Sequence, residues 1–104
     1  MTDDALPLLV FFSSASSGPA RRMESIVAHI ARSERHRLRV LQVDIEERAD
    51  LVEKLKVLHA PTLVLVIARK VVARIDGRTS APKIDAMLEE HLTPVRDAEL
   101  SLEL

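Results

Sequence analysis

The chain has 104 residues with no cysteine, a formal net charge of −1, and 47% apolar residues that include only two aromatics, Phe11 and Phe12. The lack of thiols excludes disulfides, thiolate metal sites and cysteine nucleophiles, and the balanced charge argues against a nucleic-acid footprint. The length suits one domain that removes about two thirds of its unfolded surface from water, while the scarcity of aromatics deprives a binding surface of its commonest hot-spot residues. Met1-Thr2-Asp3-Asp4 is acidic where a signal peptide needs basic residues, and no apolar run approaches the length of a membrane span. A soluble, cytoplasmic protein with no membrane or nucleic-acid partner is expected.

Residues 1–7 form a short leader that ends in Pro7. The run Leu8-Leu9-Val10-Phe11-Phe12 is too short for a helix with its own core face and is bounded by turn residues, so it reads as a buried strand. A small-residue loop, Ser13-Ser14-Ala15-Ser16-Ser17, leads to Gly18-Pro19. There Gly18 permits a tight turn, Pro19 suits a first helical turn, and Ser17 can cap the free N–H groups. The helix that follows is expected over 19–33: Met23, Ile26, Val27, Ile30 and Ala31 recur at spacings of three and four, with Arg21, Arg22, Glu24 and Arg32 on the opposite face. The basic run over 32–39 reads as a solvated helix end, where cations offset the macrodipole.

A second strand is expected over 38–45, and a strand-helix-strand connection makes it parallel to the first. Residues 46–56 keep Leu51, Val52 and Leu55 on one side of a short amphipathic helix. The continuous apolar run over 63–68 predicts a strand covered on both faces. Arg69-Lys70 reads as a turn of open type, 71–75 as the returning strand of a hairpin, and Asp76-Gly77 as its end. Ser80 is expected to cap a last helix that carries Ile84, Met87, Leu88 and Leu92 inward, and Thr93-Pro94 stops it.

This α/β order, strand-helix-strand-helix-strand-strand-helix, resembles the minimal βαβαββα core of the thioredoxin-like fold over residues 8–92. That fold has a central mixed four-stranded sheet with helices on both faces. Ser17-Gly18-Pro19-Ala20-Arg21 resembles the thioredoxin active-site turn, in which Cys-Gly-Pro-Cys at a helix start is followed by a basic residue. Ala60-Pro61-Thr62 resembles the cis-proline and threonine that thioredoxins place beside that turn, and Gly77 matches a glycine after the hairpin. The resemblance implies a thioredoxin-like domain over 1–94 and a C-terminal tail over 95–104.

It also marks what this chain lacks. Serine and alanine replace the two sulfurs, and the same helix start cannot make a serine hydroxyl a nucleophile without a positioned base. Phe11 occupies the place of the buried aspartate that thioredoxins use as a base, Gln42 that of its lysine partner, and Ser16 that of the tryptophan before the first cysteine. The combined loss implies a domain that is non-redox by nature.

The expected function is therefore protein or peptide binding, without a catalytic residue, a cofactor or a metal. Ser16, Ala60, Pro61, Thr62 and Gly77 would form a groove in which Ala60, beside a cis bond to Pro61, offers N–H and C=O groups to an extended segment. Ser17, Arg21 and Arg22 at the helix start are candidates for holding an anion or a carbonyl. His29, His36, His59 and His91 show no metal-ligand spacing, and only His59 adjoins the groove. A thiol- or glutathione-binding enzyme of the thioredoxin superfamily is the alternative from another class, and a KaiB-like interaction scaffold is a third. Relative to thioredoxin the chain has no sequence for an edge strand beside the second strand, so 38–45 is expected to be an exposed edge. The leucines of the tail, Leu100, Leu102 and Leu104, alternate with polar residues, and this tail is expected to pack on the domain or on a neighbour's edge, giving a homodimer by strand addition.

Overall fold

Phe11 and Phe12 are neighbours in sequence, yet both are fully buried. Successive side chains of a strand point to opposite faces, so this is achieved only if the strand is covered on both sides. The computed structural model, which describes residues 6–92, provides that cover. Its elements are β1 (Leu8–Ser13), α1 (Gly18–Ser33), β2 (Arg39–Asp44), α2 (Ala49–Lys54), β3 (Thr62–Ile67), β4 (Lys70–Asp76) and α3 (Ala81–His91). The tail 95–104, with its expected strand, lies outside the described residues.

The four strands form one mixed sheet in the order β2-β1-β3-β4. β1 pairs parallel with β2, antiparallel with β3, and β3 continues antiparallel into β4. On one face Leu9, Phe11, Leu63 and Leu65 pack with Met23, Val27 and Ile30 of α1 and with Ile84, Met87 and Leu88 of α3. On the other, Val10, Phe12, Val43 and Val64 pack with Val57 and with Leu51, Val52 and Leu55 from the α2 region. Burial of each large aliphatic or aromatic side chain contributes about 1.5–3 kcal/mol. The apolar stripe of α1 is the expected one, except that Ile26 and Ala31 are only half-buried. At its C-terminal end the Arg37 guanidinium bonds Glu34 at 2.6 Å and Glu89 at 2.9 Å, which ties the end of α1 to α3.

The second helix is shorter than its amphipathic pattern suggests. Residues 46–48 turn instead, because the Asp44 carbonyl accepts from the N–H groups of both Glu47 and Arg48 while the Asp44 carboxylate takes the Glu46 N–H. Lys56, with φ of 56°, stops the helix in the left-handed region. Arg74 of β4 reaches across to the Leu55 carbonyl at 2.9 Å and the Lys56 carbonyl at 3.3 Å. A strand side chain thus serves the open end of this short helix, where a cation also meets the negative end of the dipole. Ser80 stands at the N-cap of α3 as expected, but its side chain makes no capping hydrogen bond.

The hairpin turn lies one residue earlier than the sequence implies. Ile67 pairs with Lys70, so Ala68 and Arg69 are the two turn residues, with φ of 53° and 67°. Positive φ at both central positions matches the right-handed twist of the flanking strands, which is why two-residue hairpins favour it despite the steric penalty for residues with a Cβ. A register shift between Leu65 and Val66 follows, with Val66 opposite Val71 and Leu65 opposite Ala73.

Two stability measurements check this account. Ala68→Gly relieves the left-handed penalty and is expected to raise the free energy of unfolding by about 1 kcal/mol; an unchanged or lower urea midpoint would contradict it. Arg74→Met keeps the apolar stem but removes the bonds to the α2 end, and is expected to lower stability by about 1–3 kcal/mol. The same denaturation curves would show no loss if the helix end were served by water instead.

Candidate functional site

The end of the central strand sets the site. β1 closes at Ser13, and the chain then crosses the rim of the sheet through four serines within residues 13–17. Their hydroxyls brace the loop: Ser14 Oγ lies 2.9 Å from Ser16 Oγ and accepts from the Ser16 N–H at 3.2 Å, while the Ser17 N–H donates to the Ser14 carbonyl at 3.0 Å. Ser13 and Ser14 are buried, Ser16 is exposed and Ser17 is half-buried. Sequence reasoning passed over Ser14, although the density of serines before Gly18 was the available signal, since short hydroxyl side chains readily satisfy loop backbone.

Ser17 caps α1 as expected, accepting from the Ala20 N–H at 3.1 Å. The consequence for anion binding is a correction of number. Pro19 has no N–H, Ala20 is capped, and the Arg21 N–H donates to the Ser17 carbonyl. Only the Gly18 N–H is left open at the helix start among the described residues. Arg21 and Arg22 are exposed beside it, and the Arg22 guanidinium folds back towards Gly18, its Nη1 standing 3.5 Å from where a Cβ on that residue would sit.

The second wall comes from the loop before β3. The Ala60–Pro61 peptide bond is cis. The Ser17 hydroxyl donates to the Ala60 carbonyl at 3.4 Å, which brings the helix start and the proline loop together across 43 residues of chain. Gly77, with φ of 88°, donates its N–H to the Pro61 carbonyl at 2.8 Å, so the end of β4 closes on the same loop. That φ is open to glycine and strained for other residues. The structure therefore brings together Ser17, Ala60, Pro61 and Gly77. Ala60 is half-buried, whereas Pro61 and Thr62 are buried; the Thr62 hydroxyl donates to the His59 carbonyl at 2.8 Å, so Thr62 supports the loop from within and does not reach the surface. His59 itself is exposed. The Ala60 carbonyl keeps one lone pair beside its bond to Ser17, and among the described residues nothing accepts from the Ala60 N–H.

Beneath the turn, Phe11 is fully buried and stands in register with Gln42 on the neighbouring strand. Gln42 is exposed; its amide donates to Ser13 Oγ at 3.2 Å and to Glu24 at 3.5 Å. An apolar ring fills the space below the helix start, and the neighbouring polar side chain turns to the loop and the helix surface.

The sheet order, the helix layers and the cis-proline loop facing a helix start define a domain of the thioredoxin fold. The thioredoxin family model matches residues 1–90, and the chain belongs to that family. It is 30% identical over 86 residues to a thioredoxin-like protein of Synechocystis sp., covering 83% of this chain and 79% of that one. It is 28% identical over 94 residues to thioredoxin of Pseudomonas aeruginosa, covering 90% and 80%. The crystal structure of the germline-specific thioredoxin Deadhead of Drosophila melanogaster superposes with a TM-score of 0.78 at 27% identity, over 85% of this chain and 83% of that one.

Thiol-disulfide exchange requires a thiolate to attack and a second thiol to resolve the mixed disulfide, and this chain holds no sulfur at Ser17 or Ala20. The protein is expected to leave the rate of insulin reduction by dithiothreitol at its uncatalysed value. Ser17→Cys combined with Ala20→Cys is expected to restore only slow turnover, because Phe11 offers no base for the resolving step. Catalysis by the native protein, or rates from the double variant equal to those of a thioredoxin assayed beside it, would overturn the assignment.

Proposed function

We propose that this protein is a redox-inactive member of the thioredoxin family that binds an extended protein or peptide segment across the Ser17 turn and the Ala60–Pro61 loop. The observation that carries this reading is the Ala60 N–H, which has no acceptor among the described residues and is held beside a turn that its own serines brace. An extended segment laid along the loop gains a main-chain bond from Ala60, with the exposed Ser16 and the Gly18 N–H flanking it. This is strand addition on a small scale, in which backbone supplies affinity and adjacent side chains supply selectivity. Arg21 and Arg22 border the groove and favour an acidic residue on the segment, a role that joins the anion-binding and peptide-binding expectations in one site. With both aromatics in the core, no aromatic anchor is available, and affinity on the order of micromolar or weaker is the natural range for such a surface.

The reading is tested by selecting binders from a random peptide library displayed on phage and titrating the best of them into isotope-labelled protein. Amide shifts concentrated at Ser16, Ser17, Gly18, Ala60, Thr62 and Gly77 are expected, and Arg21→Ala with Arg22→Ala should weaken acidic binders by about tenfold. A failure to enrich any peptide, or shifts that map to another face, would overturn it.

A further inference from the structure

β2 is an edge of the sheet, with β1 on its inner side and no described strand on its outer side. The Arg39 N–H donates to the Pro7 carbonyl and the Ile45 N–H to the Ser13 carbonyl. Main-chain groups alternate in direction along a strand, so residues 39, 41, 43 and 45 bond inward to β1, and Val40 and Gln42 present their N–H and C=O groups outward. The open stretch ends at Asp44, whose carbonyl is taken by Glu47 and Arg48. Leu41, between the two outward-bonding residues, is 41% exposed on the face that carries α2, in register with the buried Val10.

The charges along this edge are polarised. Arg35, Arg37 and Arg39 mark its beginning and Asp44, Glu46 and Glu47 its end. Arg37 is engaged by Glu34 and Glu89, whereas Arg35 and Arg39 are exposed and make no ion pair among the described residues. An antiparallel copy of such a strand sets its acidic end beside the basic end of the first; a parallel copy would set like beside like.

We propose that β2 is a self-association surface, on which a second copy of this chain pairs antiparallel across a two-fold axis at Leu41. In that register Val40 of one protomer and Gln42 of its partner exchange N–H···O bonds in both directions, and the symmetry repeats the exchange on the other side of the axis. The two Leu41 side chains meet as a non-hydrogen-bonded pair, the geometry in which Cα atoms approach to about 4.5 Å and side chains are closest. A half-exposed leucine becomes covered, and the free arginines gain carboxylate neighbours. A two-fold axis normal to the sheet keeps α1 and α3 on one side in both protomers, so the two sheets continue as one. This edge is distinct from the peptide groove, since β1 separates it from β3 and the proline loop, and the inference does not rest on the groove's function.

Sedimentation equilibrium of the full chain tests it. The native protein is expected to show a concentration-dependent dimer that weakens with added salt. Leu41→Arg places two like charges on the axis, and Gln42→Pro deletes an outward N–H without touching the main-chain bonds to β1, although it also removes the side-chain bond to Ser13; each is expected to weaken the dimer by about tenfold or more. Should either fold poorly by circular dichroism, a charge exchange decides: Arg35 falls opposite Glu47 of the partner subunit in this register, and Arg35→Glu and Glu47→Lys are each expected to lose self-association alone and to regain it when mixed. A native protein that stays monomeric at millimolar concentration would overturn the proposal. So would a dimer that is indifferent to these substitutions, or a mixture of the charge variants that remains monomeric.

Discussion

The structure depends on the double-sided burial of β1. Leu9 and Phe11 face α1 and α3, Val10 and Phe12 face α2, and all four lie at 3% exposure or less. A strand with both faces apolar is stable only at the centre of a layered sheet, and this one recruits a parallel neighbour on one side and an antiparallel neighbour on the other. Every later feature is placed relative to it. The serine loop begins where β1 ends, α1 returns over one face, and the Ala60–Pro61 loop arrives at the same rim because β3 runs antiparallel to β1 and begins at its far end.

The identity of the residue at position 11 connects that core to the chemistry. A carboxyl in a fully buried apolar position is costly to ionise unless a partner offsets its desolvation. Phe11 removes that cost and instead contributes the burial of a large ring, about 1.5–3 kcal/mol. With no buried charge below the turn, Gln42 needs no charge of its own and bonds the loop at Ser13. With serine and alanine at positions 17 and 20 and an aromatic ring below them, the turn stands over a packed apolar core and holds no thiol.

The element order and the placement of the turn were legible in the sequence because apolar runs, glycine, proline and serine act locally. Residues 8–12 and 63–68 declare buried strands, and Ser17-Gly18-Pro19 declares a helix start, whatever surrounds them. What stayed hidden depends on contacts between distant segments. The shortening of α2 follows from the competition of the Asp44 carbonyl for two N–H groups, and its closure from an arginine on β4. The turn at Ala68 and Arg69 carries neither glycine nor asparagine, and its left-handed backbone is imposed by the twist of the strands it joins. Thr62 looked like a groove residue by adjacency to Pro61, but the period-2 alternation of β3 sends its side chain inward to the His59 carbonyl.

Composition also constrains how such a domain can recognise anything. Most strong interfaces are anchored by aromatic side chains or arginines set in apolar pockets. Here both aromatics are interior, and the exposed large apolar residues Leu41, Leu58, Val71 and Val72 are aliphatic. Among the described residues, main-chain groups without a partner stand out instead: the Ala60 N–H beside the serine turn, and the outward Val40 and Gln42 groups of β2. Both are segments where the backbone is fixed by the fold and open to an extended partner, and both have arginines at one flank. Backbone pairing is directional and indifferent to side chains, so the flanking charges must supply the selection. A protein that recognises in this way responds to salt and to acidic neighbours of the bound strand more than to the size of any single side chain.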